Sequence, residues 1–495
     1  MTSTTHQQTA PHAPLGDDLA DKSAFDLAQL IRDREISSVE LTERHIAAIE
    51  GVNPHLNALV TERFDAARGE ARHADEALAN NRAHGALWGV PCTIKETFAL
   101  ADYPHSAGSL YRRDVIATAD ATVVSNLRLA GAIPLGQTNV PEMAMWMESD
   151  NLVYGRTGNP YAYQRTSGGS SGGEAALIGA GATTFGIGSD VGGSIRMPAA
   201  FCGVFGHKAS AGLVPLRGHH PPTIGQNARY CCAGPLARKA SDLMPLLRII
   251  AEPEGDGAPP PADTPLLRDP RNVTFDGRHV YVCESLGGLP SAPDLSIATA
   301  LQDAAAALQT RGAHVAPWHH GLLPWAVPIY SSMLAGAGGP TFGEFLSKDG
   351  QGISLVEEGL RFLRGKPRHM PEALGLTALE TLMHPLKLPR RVFAALGRRL
   401  RHVLEDLLKD GALLLLPVHP RVAPHHREPL RHPLDWIYTA LFNVMELPAT
   451  SVPLGLDTDG LPLAVQVVGA HGSDHITIAA ALALEEAFGG WVPPA

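Results

Sequence analysis

Residues 166–208, TSGGSSGGEAALIGAGATTFGIGSDVGGSIRMPAAFCGVFGHK, carry two glycine-serine clusters on one short segment. The first is Gly168-Gly169-Ser170-Ser171-Gly172-Gly173 and the second is Asp190-Val191-Gly192-Gly193-Ser194-Ile195-Arg196. A small, apolar, glycine-broken helical pattern joins them. Glycine lets the backbone take positive φ and lets a substrate approach the main chain closely. Serine supplies a hydroxyl that can attack, relay a proton or donate a hydrogen bond. Glycines just before a serine leave backbone N–H groups uncovered, as an oxyanion hole requires. Two such clusters together point to a hydrolytic site built from two serines.

Other readings of the same stretch fit less well. Flexible linkers are rich in glycine and serine, but they lack residues such as Leu177, Ile178, Phe185, Ile187, Val191, Ile195 and Met197. A phosphate-binding loop of the Walker type ends in Gly-Lys-Ser/Thr, and neither cluster contains a lysine. A dinucleotide fingerprint needs a third glycine where Val191 stands.

The whole segment resembles the signature region of the amidase signature family, nearly residue for residue. The resemblance runs from about Ala24 to the C-terminus. It implies a Ser–Ser–Lys triad whose middle serine follows a cis peptide bond. Ser194, in Gly-Gly-Ser-Ile-Arg, matches the nucleophile, and Ser170 matches the cis-serine. Lys95, in Gly89-Val90-Pro91-Cys92-Thr93-Ile94-Lys95-Glu96, matches the lysine. Further landmarks follow. Residues 136–142, GQTNVPE, resemble the family's Gly-Lys-Thr-Asn with Gln137 in place of lysine. Residues 443–455 and 460–469 resemble its C-terminal landmarks, with Glu446 where the family has glycine. The implied architecture is α/β, a large twisted mixed sheet sandwiched between helices.

Composition narrows the function classes. The formal charge of -10 argues against a nucleic-acid or anionic-membrane partner. No apolar run reaches 18 residues, so an integral membrane span is not expected. The first 22 residues lack the basic and apolar regions of a signal peptide and read as a polar, disordered tail. Residues 23–495 then read as one domain, with a signature core at about 85–245 and a variable substrate-access region at about 317–436. The five cysteines show no metal-ligand spacing and read as buried thiols in a reducing cytoplasm. Among the 23 histidines, the doublets His219-His220, His319-His320 and His425-His426 read as surface or loop residues. Neither a metal nor a cofactor is expected, and the chain is expected as a monomer or homodimer.

Along the chain, Ser23 with Asp26 has the capping-box spacing of a helix start, and Ser37 with Glu40 marks a second. Residues 88–94 read as a short buried strand that delivers Lys95 to its end. Asp120 is placed to cap a helix carrying Val123, Val124 and Leu127, and residues 132–135 read as another strand. This alternation argues for an α/β fold. Residues 253–269 read as a loop or linker. Residues 390–408, RRVFAALGRRLRHVLEDLL, form a basic amphipathic pattern, read as a solvated cationic face with membrane contact as the alternative.

The chemistry implied by the resemblance follows. Lys95 acts as a base only when neutral, which burial favours. It would take a proton from Ser194 through Ser170. The N–H groups of Val191, Gly192, Gly193 and Ser194 would form the oxyanion hole, with Ser171, Asp190 and Arg196 supporting them. Met143, Met145, Trp146 and Gly169 would line the substrate pocket, an adaptable apolar wall with no charged clamp, with core packing as the equal alternative for the methionine-rich 143–147 loop. The expected reaction is hydrolysis of small aryl or acyl amides, and of carbamates as in a bacterial urethanase. Lys95-Glu96-Thr97-Phe98 resembles the Lys-Glu-x-Phe of fatty acid amide hydrolases. The alternatives are the glutaminase component of a tRNA-dependent amidotransferase and a non-catalytic binding subunit.

Overall fold

The computed structural model describes residues 15–16, 18–223, 225–251, 267–348, 350–383 and 387–495. Most of the expected N-terminal tail and of the 253–269 linker lies outside the described residues.

The organising element is an eleven-stranded sheet whose strands come from residues 59 to 468. In chain order they are β1 Leu59–Glu62, β2 Pro91–Lys95, β3 Ile133–Thr138, β4 Phe185–Asp190, β5 Phe205–Lys208 and β6 Cys232–Ala237. They continue as β7 His279–Val282, β8 His314–Pro317, β9 Leu413–Pro417, β10 Ala449–Leu456 and β11 Pro462–Val468. Their order across the sheet is β1-β3-β2-β4-β6-β5-β10-β11-β9-β7-β8. β2 lies parallel to both β3 and β4, and β7 lies parallel to β8 and β9. The remaining pairings are antiparallel. The expected mixed α/β sheet is therefore present.

Every residue of β2, β3 and β4 is buried. Parallel strands covered on both faces need such runs. Helices flank the sheet: Gly172–Gly179 meets β2 and β4, Leu243–Ile250 meets β6, Leu295–Thr310 meets β9 and β11, and Asp474–Phe488 meets β10. The helix starts read from the sequence hold. The Ser23 hydroxyl accepts from the Asp26 N–H while the Asp26 carboxylate accepts from the Ser23 N–H, and the Ser37 hydroxyl accepts from the Glu40 N–H. Asp120 does not cap. Ala121 precedes the helix Thr122–Leu129, and the Asp120 carboxylate instead accepts from the Ala101 N–H at 2.8 Å. A tertiary partner has taken the side chain that local spacing assigned to the helix.

The variable region is helical and forms a second apolar cluster. Leu400, Leu404 and Leu408 of the helix Lys387–Leu408 pack with Ile329, Tyr330 and Met333 of the helix Ala326–Gly336. The C-terminal part of the basic helix therefore spends its apolar stripe inside the protein rather than on a membrane. Its Arg401 donates to the Val444 carbonyl and to Glu446. Among the described residues no helix is long and apolar enough to cross a membrane.

Leu404→Ala should lower the thermal midpoint, since truncating a fully buried leucine costs about 2–5 kcal/mol. Val392→Ala, on the exposed side of the same helix, should leave the midpoint nearly unchanged in the same calorimetric scan.

Candidate active site

Parallel pairing brings the site together. β2 ends at Lys95 and β4 ends at Asp190, and the two strands run side by side with Thr93 opposite Gly186 and Ile94 opposite Ile187. Both residues thus emerge at the carboxyl edge of neighbouring strands, where α/β sheets build their sites. The first glycine-serine cluster lies between β3 and β4 in sequence and folds onto this edge. The Ser171 N–H donates to the Ser194 carbonyl at 3.0 Å, which locks the two clusters against each other.

Lys95 is fully buried. Its Nζ lies 2.7 Å from Ser170 Oγ, 3.0 Å from Ser189 Oγ and 3.2 Å from the Ser189 carbonyl. Burial disfavours the ammonium form and brings Lys95 down to about 7, although Cys231, Asp190 and Glu174 pull the other way. Glu174 does not reverse this, because burial raises its own carboxyl to about 8 against the hydrogen bonds from Thr93 and Thr138. Ser170 is also buried and follows a cis Gly169–Ser170 peptide. Ser194 by contrast is partly exposed. Lys95 and Ser170 are sealed from water while Ser194 faces outward.

The turn before Ser194 is held from behind by an ion pair. Asp190 and Arg196 are both fully buried. Arg196 donates to both Asp190 oxygens at 3.0 Å, to Asn443 Oδ1 at 2.6 Å and to Gln466 Oε1 and the Thr439 carbonyl at 2.9 Å. Burial alone would raise the Asp190 carboxyl, but the Arg196 guanidinium holds it well below the usual carboxylate range. Arg196 therefore braces the turn from within. The Asp190 carboxylate also accepts from the N–H groups of Gly193 at 2.7 Å and Ile195 at 3.1 Å. This corrects the oxyanion-hole set: the Gly193 N–H already has a partner behind the turn, which leaves Val191, Gly192 and Ser194 as candidates. Ser171 carries its Oγ to the Ser189 carbonyl at 3.4 Å.

The expected pocket residues divide. Met143 is buried with Ala107, Leu346 and Ala373 and fills core rather than lining a pocket. Met145 and Trp146 do line a cleft, shared with Glu142, Glu148, Asp150, Glu372 and Arg427. Gly169 permits this arrangement, since a Cβ there would stand 2.3 Å from the Trp146 carbonyl oxygen. Lys95, Ser170 and Ser194 are not among the residues that line this cleft. Over the 191–193 turn stand two residues of the variable region. The Tyr330 hydroxyl donates to the Val191 carbonyl at 3.1 Å, and the Trp436 ring packs edge-on against Tyr330 at 4.8 Å.

Several site residues were not expected. Ser189, Thr439, Asn443 and Gln466 touch the site or its brace. Ser189, Asn443 and Gln466 fall in stretches that resemble the family's landmarks, but nothing local assigns them a role, and Thr439 lies outside those stretches. His219 is buried rather than on the surface, with Nε2 2.9 Å from Ser189 Oγ. His319 is exposed and His320 half-buried, and His425 is exposed, as expected of loop residues. Glu446, where the family has glycine, takes a left-handed backbone at φ 65 and pairs with Arg229 and Arg401. All five thiols are free and buried.

The family model described as Amidase matches residues 40–478, and the chain belongs to that family, the amidase signature enzymes. It is an enzyme of the class that hydrolyses amides. Fatty-acid amide hydrolase 2 of Homo sapiens is 38% identical over 496 residues, covering 97% of this chain and 92% of that protein. Fatty-acid amide hydrolase 2-B of Danio rerio is 40% identical over 496 residues, with the same coverage of 97% and 92%. The solved structure of 6-aminohexanoate cyclic dimer hydrolase with its substrate is similar at a TM-score of 0.75 and 26% identity, over 95% of this chain and 98% of that one.

Gly193 sits at φ +113, and a Cβ there would lie 2.0 Å from Thr439 Oγ1. Gly193→Ala should therefore displace the turn and cut kcat by roughly 10²-fold, on the scale of one lost oxyanion donor. Circular dichroism should be unchanged, because the disturbance is confined to the turn.

Proposed function

We propose that this chain hydrolyses amides through an acyl-enzyme on Ser194, with Ser170 as proton relay and Lys95 as base. The observation that carries this reading is the Lys95 amine: buried, brought down to about 7, and 2.7 Å from the Ser170 hydroxyl. Ser194 Oγ attacks the carbonyl carbon while its proton passes to Ser170 and the Ser170 proton passes to Lys95. The tetrahedral oxyanion is met by the N–H groups of Val191, Gly192 and Ser194. The C–N bond then breaks, and the proton held by Lys95 returns through Ser170 to the leaving nitrogen. Water, deprotonated by the same relay, releases the acid and restores Ser194. No metal or cofactor enters this scheme.

The preferred substrates are amides bearing an apolar acyl or aryl group, with small aryl carbamates as a second class. The Tyr330–Trp436 pair over the turn supports an apolar substituent, and so does the match to fatty-acid amide hydrolase 2. A carbamate presents the same carbonyl to the same donors, so the mechanism serves both. The intact Lys95–Ser170 contact weighs against a non-catalytic binding role, because a buried lysine is costly to keep without a use. Five buried free thiols support a reducing, cytoplasmic setting. The continuous sheet supports residues 23–495 as one domain.

Ser194→Ala should cut turnover of an acyl p-nitroanilide by at least ~10³-fold with an unchanged thermal midpoint. A fluorophosphonate should label Ser194 once. The active form has Lys95 unprotonated, so kcat/KM should rise with pH through an inflection near 7. Efficient ammonia release from glutamine, in preference to the anilide and an aryl carbamate, would move the chain to the glutaminase reading. A label on Ser171 would overturn the assignment of the nucleophile.

A further inference from the structure

Lys95 is held on the side away from Ser170 by a short chain of hydrogen bonds that the relay does not use. Residues 97–99 continue from β2, and residues 218–220 run antiparallel to them. The Ala99 N–H donates to the Gly218 carbonyl at 2.9 Å, and the His220 N–H donates to the Thr97 carbonyl at 2.8 Å. This pairing sets the His219 ring edge-on against Phe98 at 5.1 Å and beside the end of the Lys95 strand.

His219 Nδ1 lies 2.9 Å from the Pro221 carbonyl, and Nε2 lies 2.9 Å from Ser189 Oγ. A carbonyl can only accept, so Nδ1 carries the proton of the neutral ring. The ring is neutral because burial, with Lys95 adding to it, lowers His219 to about 3. Nε2 is then an acceptor, and the Ser189 hydroxyl must donate to it. With its one hydrogen committed, Ser189 Oγ can only accept from Lys95, 3.0 Å away. One N–H of a neutral Lys95 goes to Ser189 Oγ and the other to the Ser189 carbonyl at 3.2 Å. The lone pair that remains faces Ser170 Oγ at 2.7 Å. The opposite tautomer of His219 would free the Ser189 hydroxyl to donate to Lys95 and occupy that lone pair.

We propose that His219 is a positioning residue of the amidase reaction: by accepting the Ser189 hydroxyl proton, it leaves the Lys95 lone pair to Ser170. The inference rests on the Ser194–Ser170–Lys95 reading. No proton leaves His219 or Ser189 during turnover. The other ionisable groups acting on Lys95 are Cys231 just before β6, Asp190 at the end of β4 and Glu174 in the helix Gly172–Gly179. Around the histidine doublet they are His105 and Arg112.

The test is steady-state hydrolysis of an acyl p-nitroanilide across pH by the full chain. His219→Phe keeps the ring contact with Phe98 but removes the acceptor. It should lower kcat roughly 10- to 100-fold, less than the loss of the base itself, with KM little changed. The acid inflection should move to lower pH, because the freed Ser189 hydroxyl now donates to neutral Lys95 and stabilises it. His219→Gln, which can place an amide oxygen near the Nε2 position, should recover most of kcat and the original inflection. Ser189→Ala should be more active than His219→Phe, and Ser189→Ala/His219→Phe should match Ser189→Ala alone. His219→Leu carries the same expectation should His219→Phe fail to fold. A wild-type kcat and inflection in His219→Phe would overturn the proposal, as would an equal loss in the Ser189→Ala background. Lys95→Ala, run in parallel, separates the two readings: retained activity there removes the triad itself, whereas its loss beside an unaffected His219→Phe removes only the role of His219.

Discussion

The structure depends on keeping one amine dry. Desolvation is what fits Lys95 for the proposed role of base, and burial is the largest influence on it. Any ionised carboxylate nearby would work against this, and two stand close. Glu174 is neutralised by its own burial, with two threonine hydroxyls holding its oxygens. Asp190 stays ionised, but Arg196 supplies the balancing charge at 3.0 Å on both oxygens. The same ion pair therefore serves two ends. It shapes the turn that presents Ser194, and it balances the negative charge that would otherwise return Lys95 toward the ammonium form.

That arrangement requires parts distant in sequence to meet with little tolerance. Parallel pairing of β2 with β4 delivers Lys95 and Asp190 to one edge of the sheet. Asn443 and Gln466, from the C-terminal part of the chain, complete the shell of acceptors around the guanidinium. Asn443 also donates to the Asp190 carbonyl at 2.9 Å, so the brace grips main chain as well as side chain. Removing one member of such a buried network leaves a charge or a lone pair unanswered, which is costly in a medium of low dielectric. The brace and the proposed catalytic edge consequently stand or fall together.

Much of this was legible in the sequence because it is local. The glycine-serine clusters, the capped starts at Ser23 and Ser37, and the buried strand before Lys95 are each written within a few neighbouring residues. What was not legible depends on pairing across the fold. Asp120 has the spacing of a cap but serves Ala101 instead. Met143 has the character of a pocket wall but is enclosed by residues of the variable region. His219 lies in a doublet that resembles loop sequence, and only its pairing with the continuation of β2 brings it to Ser189. The Gly193 N–H looked free because nothing in the sequence says that Asp190 folds back beneath it. Glu446 departs from the family's glycine, yet Arg229 and Arg401 engage its side chain while its backbone takes a left-handed turn.

The central claim is the charge state of Lys95, and it can be read without turnover. The direct measurement is a pH titration of the protein labelled with carbon-13 at lysine Cε, with the Lys95 resonance assigned by its loss in Lys95→Ala. The account predicts a midpoint near 7, far from the 10.5 of an exposed lysine. A Lys95 resonance that remains in the ammonium form to pH values near 10 would contradict it.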